Sequence, residues 1–147
     1  MKKNVKNHQT IVFGGKKDVY GGNRMMDLFF PGKFQPPHIG HVITISKLKN
    51  IGNVIIGISE DSPQIIPIQK VLDIFKTIFN GSVDYFLIKG RLIDYKNIEG
   101  FPNFDVLVSG NDKVIEWGLK IGLAVKRFPR SEGIGCSGEE LRRMVKK

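Results

Sequence analysis

Residues 27–41 read DLFFPGKFQPPHIGH, and the order of residue types in this stretch decides the fold. The apolar run at 27–30 is stopped by Pro31-Gly32, which is typical of a buried strand that ends in a tight turn. Residues 39–48 then place apolar side chains at helical spacing. The stretch therefore predicts a strand, a sharp turn and a helix, in that order.

The rest of the chain repeats this alternation. Apolar runs predict four further strands, at residues 53–58, 84–88, 105–108 and 123–126. Helical spacing and capping signals predict three further helices, at residues 65–79, 112–120 and 137–145. Strands that alternate with helices form a parallel sheet with helices on both faces. We therefore predict an α/β fold, a Rossmann-like doubly wound parallel sheet of about five strands.

Residues 1–24 differ from the alternating part of the chain. They hold two glycine pairs, at 14–15 and 21–22, around short apolar pieces. We expect this segment to be a basic N-terminal arm or a small hairpin. The compact domain is predicted to span residues 25–147.

Composition narrows the class of protein. A chain of 147 residues with 41% hydrophobic and 25% charged residues is sufficient for one globular domain, so general disorder is not expected. The single cysteine, Cys136, cannot form an intrachain disulfide, which fits a reducing compartment. No apolar run reaches membrane-spanning or secretory-signal character. We therefore expect a cytoplasmic protein without a membrane partner.

The net charge of +9 is concentrated at the two ends of the chain. Residues 1–24 and 126–147 are basic, whereas the residues between them are balanced in charge. Basic ends can bind nucleic acid or attract a polyphosphate ligand. For the first ten residues a solvated surface is the favoured interpretation, and a nucleic-acid partner is not expected.

The segment after the first strand combines groups that suit a phosphate ligand. His38 and His41 lie three residues apart, so a helix places them on one face, leaning toward its N-terminus. A helix N-terminus attracts anions, and Gly40 allows a phosphate to approach the backbone. Lys33 adds a positive charge. Because nucleotidyl transfer needs aligned reactants and donors aimed at phosphate oxygens, the segment predicts such chemistry.

Residues 32–41, which include Phe34-Gln35-Pro36, resemble the HxGH signature of the nucleotidyltransferase superfamily. They are most similar to archaeal-type nicotinamide mononucleotide adenylyltransferases and cytidylyltransferase-like proteins. Residues 104–111, FDVLVSGN, are similar to the family's fourth strand and its Ser-Gly-Asn exit. Residues 136–143, CSGEELRR, resemble its closing element. The resemblance implies transfer of a nucleoside monophosphate, AMP favoured and CMP an alternative, to a small phosphorylated acceptor such as nicotinamide mononucleotide, with release of pyrophosphate.

The resemblance also implies a role for individual residues. The catalytic group would consist of His38, His41, Lys33 and Arg142. The nucleotide-binding group would consist of Gly32, Phe34, Gln35, Gly40, Gly110, Asn111, Ser137 and Gly138. Magnesium would be carried by the triphosphate, ATP or CTP, and no metal ligand from the protein is expected. Relatives of this kind are commonly homo-oligomers.

Departures from the family pattern leave the acceptor open. Lys33 stands where the family often has Arg, and Glu139 stands where Thr is usual. No residue corresponds to the acceptor-binding Trp of the mononucleotide enzymes, and Trp117 is expected to be a packing residue. Class I aminoacyl-tRNA synthetases share the His-x-Gly-His pattern, but they need further elements that are not found here. The remaining alternative is a non-catalytic nucleotide-sensing or nucleic-acid-binding module on the same fold.

Overall fold

A computed structural model describes residues 11–12, 19–20, 23–61 and 63–128. Within these ranges the strands are β1 (Ile11–Val12), β2 (Val19–Tyr20), β3 (Asn23–Arg24), β4 (Met26–Gly32), β5 (Gly52–Glu60), β6 (Asp84–Lys89), β7 (Val106–Ser109) and β8 (Val125–Arg127). The α-helices are α1 (Ile39–Lys49), α2 (Ile68–Phe79) and α3 (Asp112–Lys120). A short 3-10 helix, Leu92–Asp94, follows β6.

The main sheet has the strand order β1-β6-β5-β4-β7-β8. The five strands from β4 to β8 run parallel, as the sequence predicts, whereas β1 pairs antiparallel with the β6 edge. The chain builds outward from β4 first to one side, through β5 and β6, and then to the other, through β7 and β8. The order of strands therefore reverses between β4 and β7, which is where open α/β sheets bind their ligands.

Helices cover both faces of the sheet, so β4 is buried on both sides. Leu28 and Phe30 pack in one apolar cluster with buried residues of α1 and α2. Phe29, which points the opposite way, packs in a second cluster with Trp117 of α3. The doubly wound arrangement predicted from the alternating pattern is thus confirmed. Trp117 is buried and its indole N–H donates to the Tyr95 carbonyl at 2.7 Å, so it is the packing residue that the sequence predicts.

The predicted elements differ from the observed ones mainly at their ends. Helix α3 has the predicted bounds, whereas α2 begins at Ile68 rather than at 65, with Pro67 at its N-cap. Strand β8 begins at Val125, two residues later than predicted. The predicted helix at 137–145 lies outside the described residues.

Two pieces of the predicted N-terminal arm form regular structure. Ile11 and Val12 pair with Phe86 and Tyr85 of β6, and β2 pairs with β3 as a small antiparallel hairpin. The boundary between residues 24 and 25 stays a prediction. In the part of the chain that the structure describes, no helix has the length and apolarity needed to cross a membrane.

Candidate active site

A cleft of about 450 Å³ opens at the carboxyl ends of the parallel strands, around the point where the strand order reverses. Every predicted site residue within the described ranges lines it: Gly32, Lys33, Phe34, Gln35, His38, Gly40, His41, Gly110 and Asn111. The other three, Ser137, Gly138 and Arg142, lie outside those ranges. The cleft therefore brings together the first two of the three sequence elements that carry the family resemblance.

The two histidines form the N-terminal cap of α1. His38 is the N-cap residue, and its Nδ1 accepts a hydrogen bond of 3.0 Å from the Gly40 backbone N–H. The Nδ1 of His41 accepts in turn from the His38 backbone N–H at 3.1 Å. The two rings stack with centroids 3.8 Å apart. The two imidazoles thus form a reciprocal capping box, a role that small polar side chains usually have.

This cap fixes the tautomer of both rings. A nitrogen that accepts a hydrogen bond carries no proton, so each neutral imidazole bears its proton on Nε2. The rings are held by the backbone at one nitrogen and by stacking on each other. The cleft is therefore lined by two imidazoles of fixed orientation beside a helix N-terminus.

Phe34 packs against His41 of the histidine pair. Its ring is buried and meets His41 edge-on, with centroids 4.7 Å apart, and it meets Phe75 of α2 in the same way at 4.9 Å. Its backbone adopts a φ of 52°, a left-handed conformation that is uncommon for a bulky residue. Gly32 is required beneath it, because a Cβ there would lie 2.7 Å from the Phe34 ring.

Gln35 connects the motif to the loop that follows β5. Its side chain is buried, and its Oε1 accepts from the backbone N–H groups of Ile65 and Ile66 at 2.7 and 2.8 Å. Residues 65–66 are thus bound to the motif, and α2 begins after the N-cap Pro67. Gln35 thus joins the motif to a loop thirty residues further along the chain.

A second helix N-terminus borders the cleft on the β7 side. Asn111 is the N-cap of α3, and its Oδ1 accepts from the backbone of Lys113 at 2.8 Å and of Val114 at 3.3 Å. Ser109 Oγ accepts from the Asn111 backbone at 3.0 Å and fixes the turn between strand and helix. The side-chain oxygen of Asn111 is therefore engaged with its own helix.

The exit of β6 supplies part of the cleft that the sequence did not single out. Arg91, Leu92 and Ile93 line it, as does Lys113 on the opposite side. The Arg91 guanidinium makes two hydrogen bonds to Asp94, of 2.9 and 3.2 Å, which raise the pKa of Arg91 and lower the pKa of Asp94. The sequence did contain a signal for this part of the cleft, because Arg91 follows a strand and a glycine at the same edge of the sheet as the other loops.

Metal-ligating residues do not gather in the described part of the chain. Across residues 11–12, 19–20, 23–61 and 63–128, no group of three or more His, Cys, Asp or Glu is placed to hold a metal ion. The cleft is lined by several nitrogen groups that suit an anion, namely the imidazole pair, Lys33, Arg91 and Lys113, beside two helix N-termini, and by the carboxylate of Asp61.

Comparison with known proteins agrees with this geometry. The cytidylyltransferase-like family model matches residues 29–117. The nicotinamide-nucleotide adenylyltransferase of Methanosarcina acetivorans is 29% identical over 134 residues, which cover 82% of this chain and 78% of that protein. The protein of the same name from Sulfurisphaera tokodaii is 34% identical over 123 residues, covering 71% of this chain and 70% of its own.

Solved structures show the same fold at lower identity. A bifunctional NMN adenylyltransferase/ADP ribose pyrophosphatase from Francisella tularensis superposes with a TM-score of 0.56 at 14% identity, over 84% of this chain. This chain spans only 43% of that structure, so the likeness concerns the fold alone. The family match extends from β4 into α3 and includes the His38–His41 cap and the β7 exit. By this match, the chain belongs to the cytidylyltransferase-like family of nucleotidyltransferases.

Proposed function

We propose that this protein transfers the adenylyl group of ATP to nicotinamide mononucleotide and releases pyrophosphate. The observation that carries the proposal is the stacked His38–His41 pair, held by the α1 backbone at both Nδ1 atoms in the cleft. The names of the relatives supply the acceptor, since they are nicotinamide-nucleotide adenylyltransferases that match most of this chain.

The reaction requires an oxygen of the acceptor phosphate to attack the α-phosphorus of ATP. The new P–O bond forms as the bond to pyrophosphate breaks, and negative charge builds on the oxygens around the phosphorus. Two Nε2–H donors and the α1 N-terminus are suited to stabilise that charge, because their orientation is set before the substrate arrives. The protein would contribute alignment and fixed dipoles rather than a covalent intermediate.

The nucleotide and the acceptor would bind on different sides of the cleft. The β7 side carries Gly110 and Asn111, which the family resemblance assigns to the nucleoside. Ser137, Gly138 and Arg142 would hold the outer phosphates. The β5 and β6 exits, with Asp61 and Arg91, would then remain for the acceptor. Magnesium would enter with the triphosphate, bound mainly by phosphate oxygens and water, and would screen the charge of the leaving pyrophosphate.

Three further features belong to the same proposal. ATP is favoured over CTP because the relatives are adenylyltransferases. The composition and the substrates support a cytoplasmic location, and the family resemblance supports a homo-oligomer. The alternative of a non-catalytic sensing or nucleic-acid-binding module is not favoured, because a binding module has no need of an oriented imidazole pair.

The test is a coupled assay of the full chain with magnesium and nicotinamide mononucleotide. We expect pyrophosphate and the dinucleotide to appear in equal amounts with ATP, and much more slowly with CTP. ATP without an acceptor serves as the background. If ATP binds but no acceptor raises pyrophosphate release above that background, the proposed reaction is wrong and the sensing alternative gains support.

A further inference from the structure

Four aromatic rings connect the buried side of α2 with the histidine cap of α1. Phe75, which is fully buried on α2, meets the ring of Phe34 at a centroid distance of 4.9 Å and an interplanar angle of 90°. Phe34 meets the His41 imidazole at 4.7 Å and 80°, and that imidazole stacks on His38 at 3.8 Å. This aromatic column therefore runs from Phe75, which is not among the described residues that line the cleft, to the pair that the proposed reaction uses.

The neighbours of the His41 ring restrain it in different directions. The hydrogen bond from the His38 backbone N–H holds one ring atom, Nδ1, and the stacking contact, at an interplanar angle of 30°, restricts the tilt of the ring. Phe34 stands almost perpendicular to the imidazole, so it opposes sliding of the ring across the face of His38. Edge-to-face pairs of aromatic rings are favourable as well as directional. The position of the His41 ring therefore depends on Phe34.

The side chain of Phe34 has little surface left for a ligand. It is only 3% exposed, and it packs so closely over Gly32 that a Cβ there would lie 2.7 Å from the ring. Its φ of 52° is a conformation that glycine adopts without steric cost. A bulky residue is favourable there only if the packing of its ring compensates the strain of the backbone. The partners of the ring include Phe75 and His41, which are the two ends of its contact in the column.

We propose that Phe34 is a positioning residue that acts through His41 and transmits the packing of α2 to the histidine cap. The inference rests on the proposed adenylyl transfer and deepens it, because it gives a residue of the core a part in aligning the site. Misplacement of a catalytic group by about 1 Å can lower a rate about 100-fold while the substrate still binds. Phe34 therefore contributes to kcat rather than to the affinity for ATP.

The first measurement compares the steady-state kinetics of wild-type protein and Phe34→Leu, with ATP and nicotinamide mononucleotide. We expect kcat to fall about 10- to 100-fold, the range for a misplaced catalytic group. KM for ATP should stay near its wild-type value, because the lost interaction operates only in the transition state. Phe75→Leu should lower kcat in the same direction by a smaller factor, since it reaches the cleft through Phe34. It also provides the test if Phe34→Leu does not fold.

Phe86→Leu is the matched control. Phe86, like Phe75, is a fully buried phenylalanine with ring contacts, but it packs in the second cluster, on the opposite face of the sheet from Phe34. Its substitution should lower the midpoint of urea unfolding about as much as Phe75→Leu does, and it should leave kcat unchanged. An equal fall of kcat in both variants would show that lost stability is the cause, and it would overturn the proposal.

The second measurement does not depend on turnover. The chain has three histidines, so the signals of their imidazole nitrogens can be followed by NMR spectroscopy. We expect the His41 signals to shift or broaden in Phe34→Leu and in Phe75→Leu, and to stay in place in Phe86→Leu. Unchanged His41 signals in the folded variants, or a raised KM for ATP with unchanged kcat, would overturn the positioning role. If wild-type protein forms no dinucleotide, the proposed function is wrong, and the nitrogen signals alone decide whether Phe34 positions His41.

Discussion

Two helix N-termini face the same cleft, and they are capped in different ways. Helix α3 begins at Asn111, whose side chain accepts from its own helix as a small polar cap commonly does. Helix α1 begins at His38, and its cap is shared between two stacked imidazoles. Asn, Asp and Ser are the preferred caps, so stability alone does not select a histidine pair. We therefore propose that the cap of α1 serves the chemistry of the site, whereas the cap of α3 serves the stability of its helix.

The largest expected effect comes from exchanging one kind of cap for the other. His38→Asn keeps a side chain that can accept from the Gly40 N–H but removes the imidazole. Turnover should fall about 100-fold or more, the usual effect of losing one oriented donor to a transition state. The free energy of unfolding should change by less than about 1 kcal/mol, because Asn is a good N-cap. Steady-state kinetics and urea denaturation of the same preparation measure both quantities.

A folded His38→Asn protein with turnover within about tenfold of wild type would contradict the division between the two caps, since the expected loss is about 100-fold. Loss of turnover together with a large loss of stability would instead mean that His38 acts mainly through packing.

The next largest effect is expected on the affinity for the triphosphate. If Arg142 reaches the outer phosphates, Arg142→Ala should weaken binding of the triphosphate by about 1.5–3 kcal/mol and barely change binding of the monophosphate. Arg143→Ala is the control, because adjacent residues of the helix predicted at 137–145 would point about 100° apart. Calorimetric titration at fixed ionic strength measures all four affinities. Equal, small losses for both substitutions would remove Arg142 from the site.

The smallest effect is expected at the α3 cap. Asn111→Ala removes the acceptor for the Lys113 and Val114 N–H groups, and it should lower the free energy of unfolding by about 1 kcal/mol. Asn111→Ser should recover most of that loss, because a hydroxyl can cap the same helix. Thermal and urea denaturation measure both variants. A Ser variant as unstable as the Ala variant would show that Asn111 stabilises the loop by another route.

The fold was largely predictable because its signals are local. The apolar run of β4, the turn at Pro31-Gly32 and the helical spacing of α1 lie within about twenty residues of one another, and the alternation of elements then constrains the sheet. Helix α3 has the predicted bounds since Asn111 is a strong cap signal. The segment after β4 and the exit of β7, which the sequence singled out, both line the cleft, whereas the loop after β6 was missed.

The contacts that shape the site were not predictable, because they join residues far apart in the sequence. Gln35 accepts from residues thirty positions away, and Trp117 holds a loop twenty-two positions away. The left-handed backbone of Phe34 has no sequence signal, since bulky residues rarely adopt it. The reciprocal cap of the histidines depends on ring orientation, which spacing alone does not set.

The measurement that tests the central claim most directly is turnover of ATP and nicotinamide mononucleotide by His41→Ala, beside wild-type protein. Its free energy of unfolding and its affinity for ATP establish that the variant is folded and can bind. Because His41 stacks on His38 and accepts from its backbone, the substitution removes one oriented donor and half of the cap. We expect dinucleotide formation to fall about 100-fold or more in a protein that remains folded. Near wild-type turnover in folded His41→Ala would contradict the claim that the histidine pair carries the chemistry.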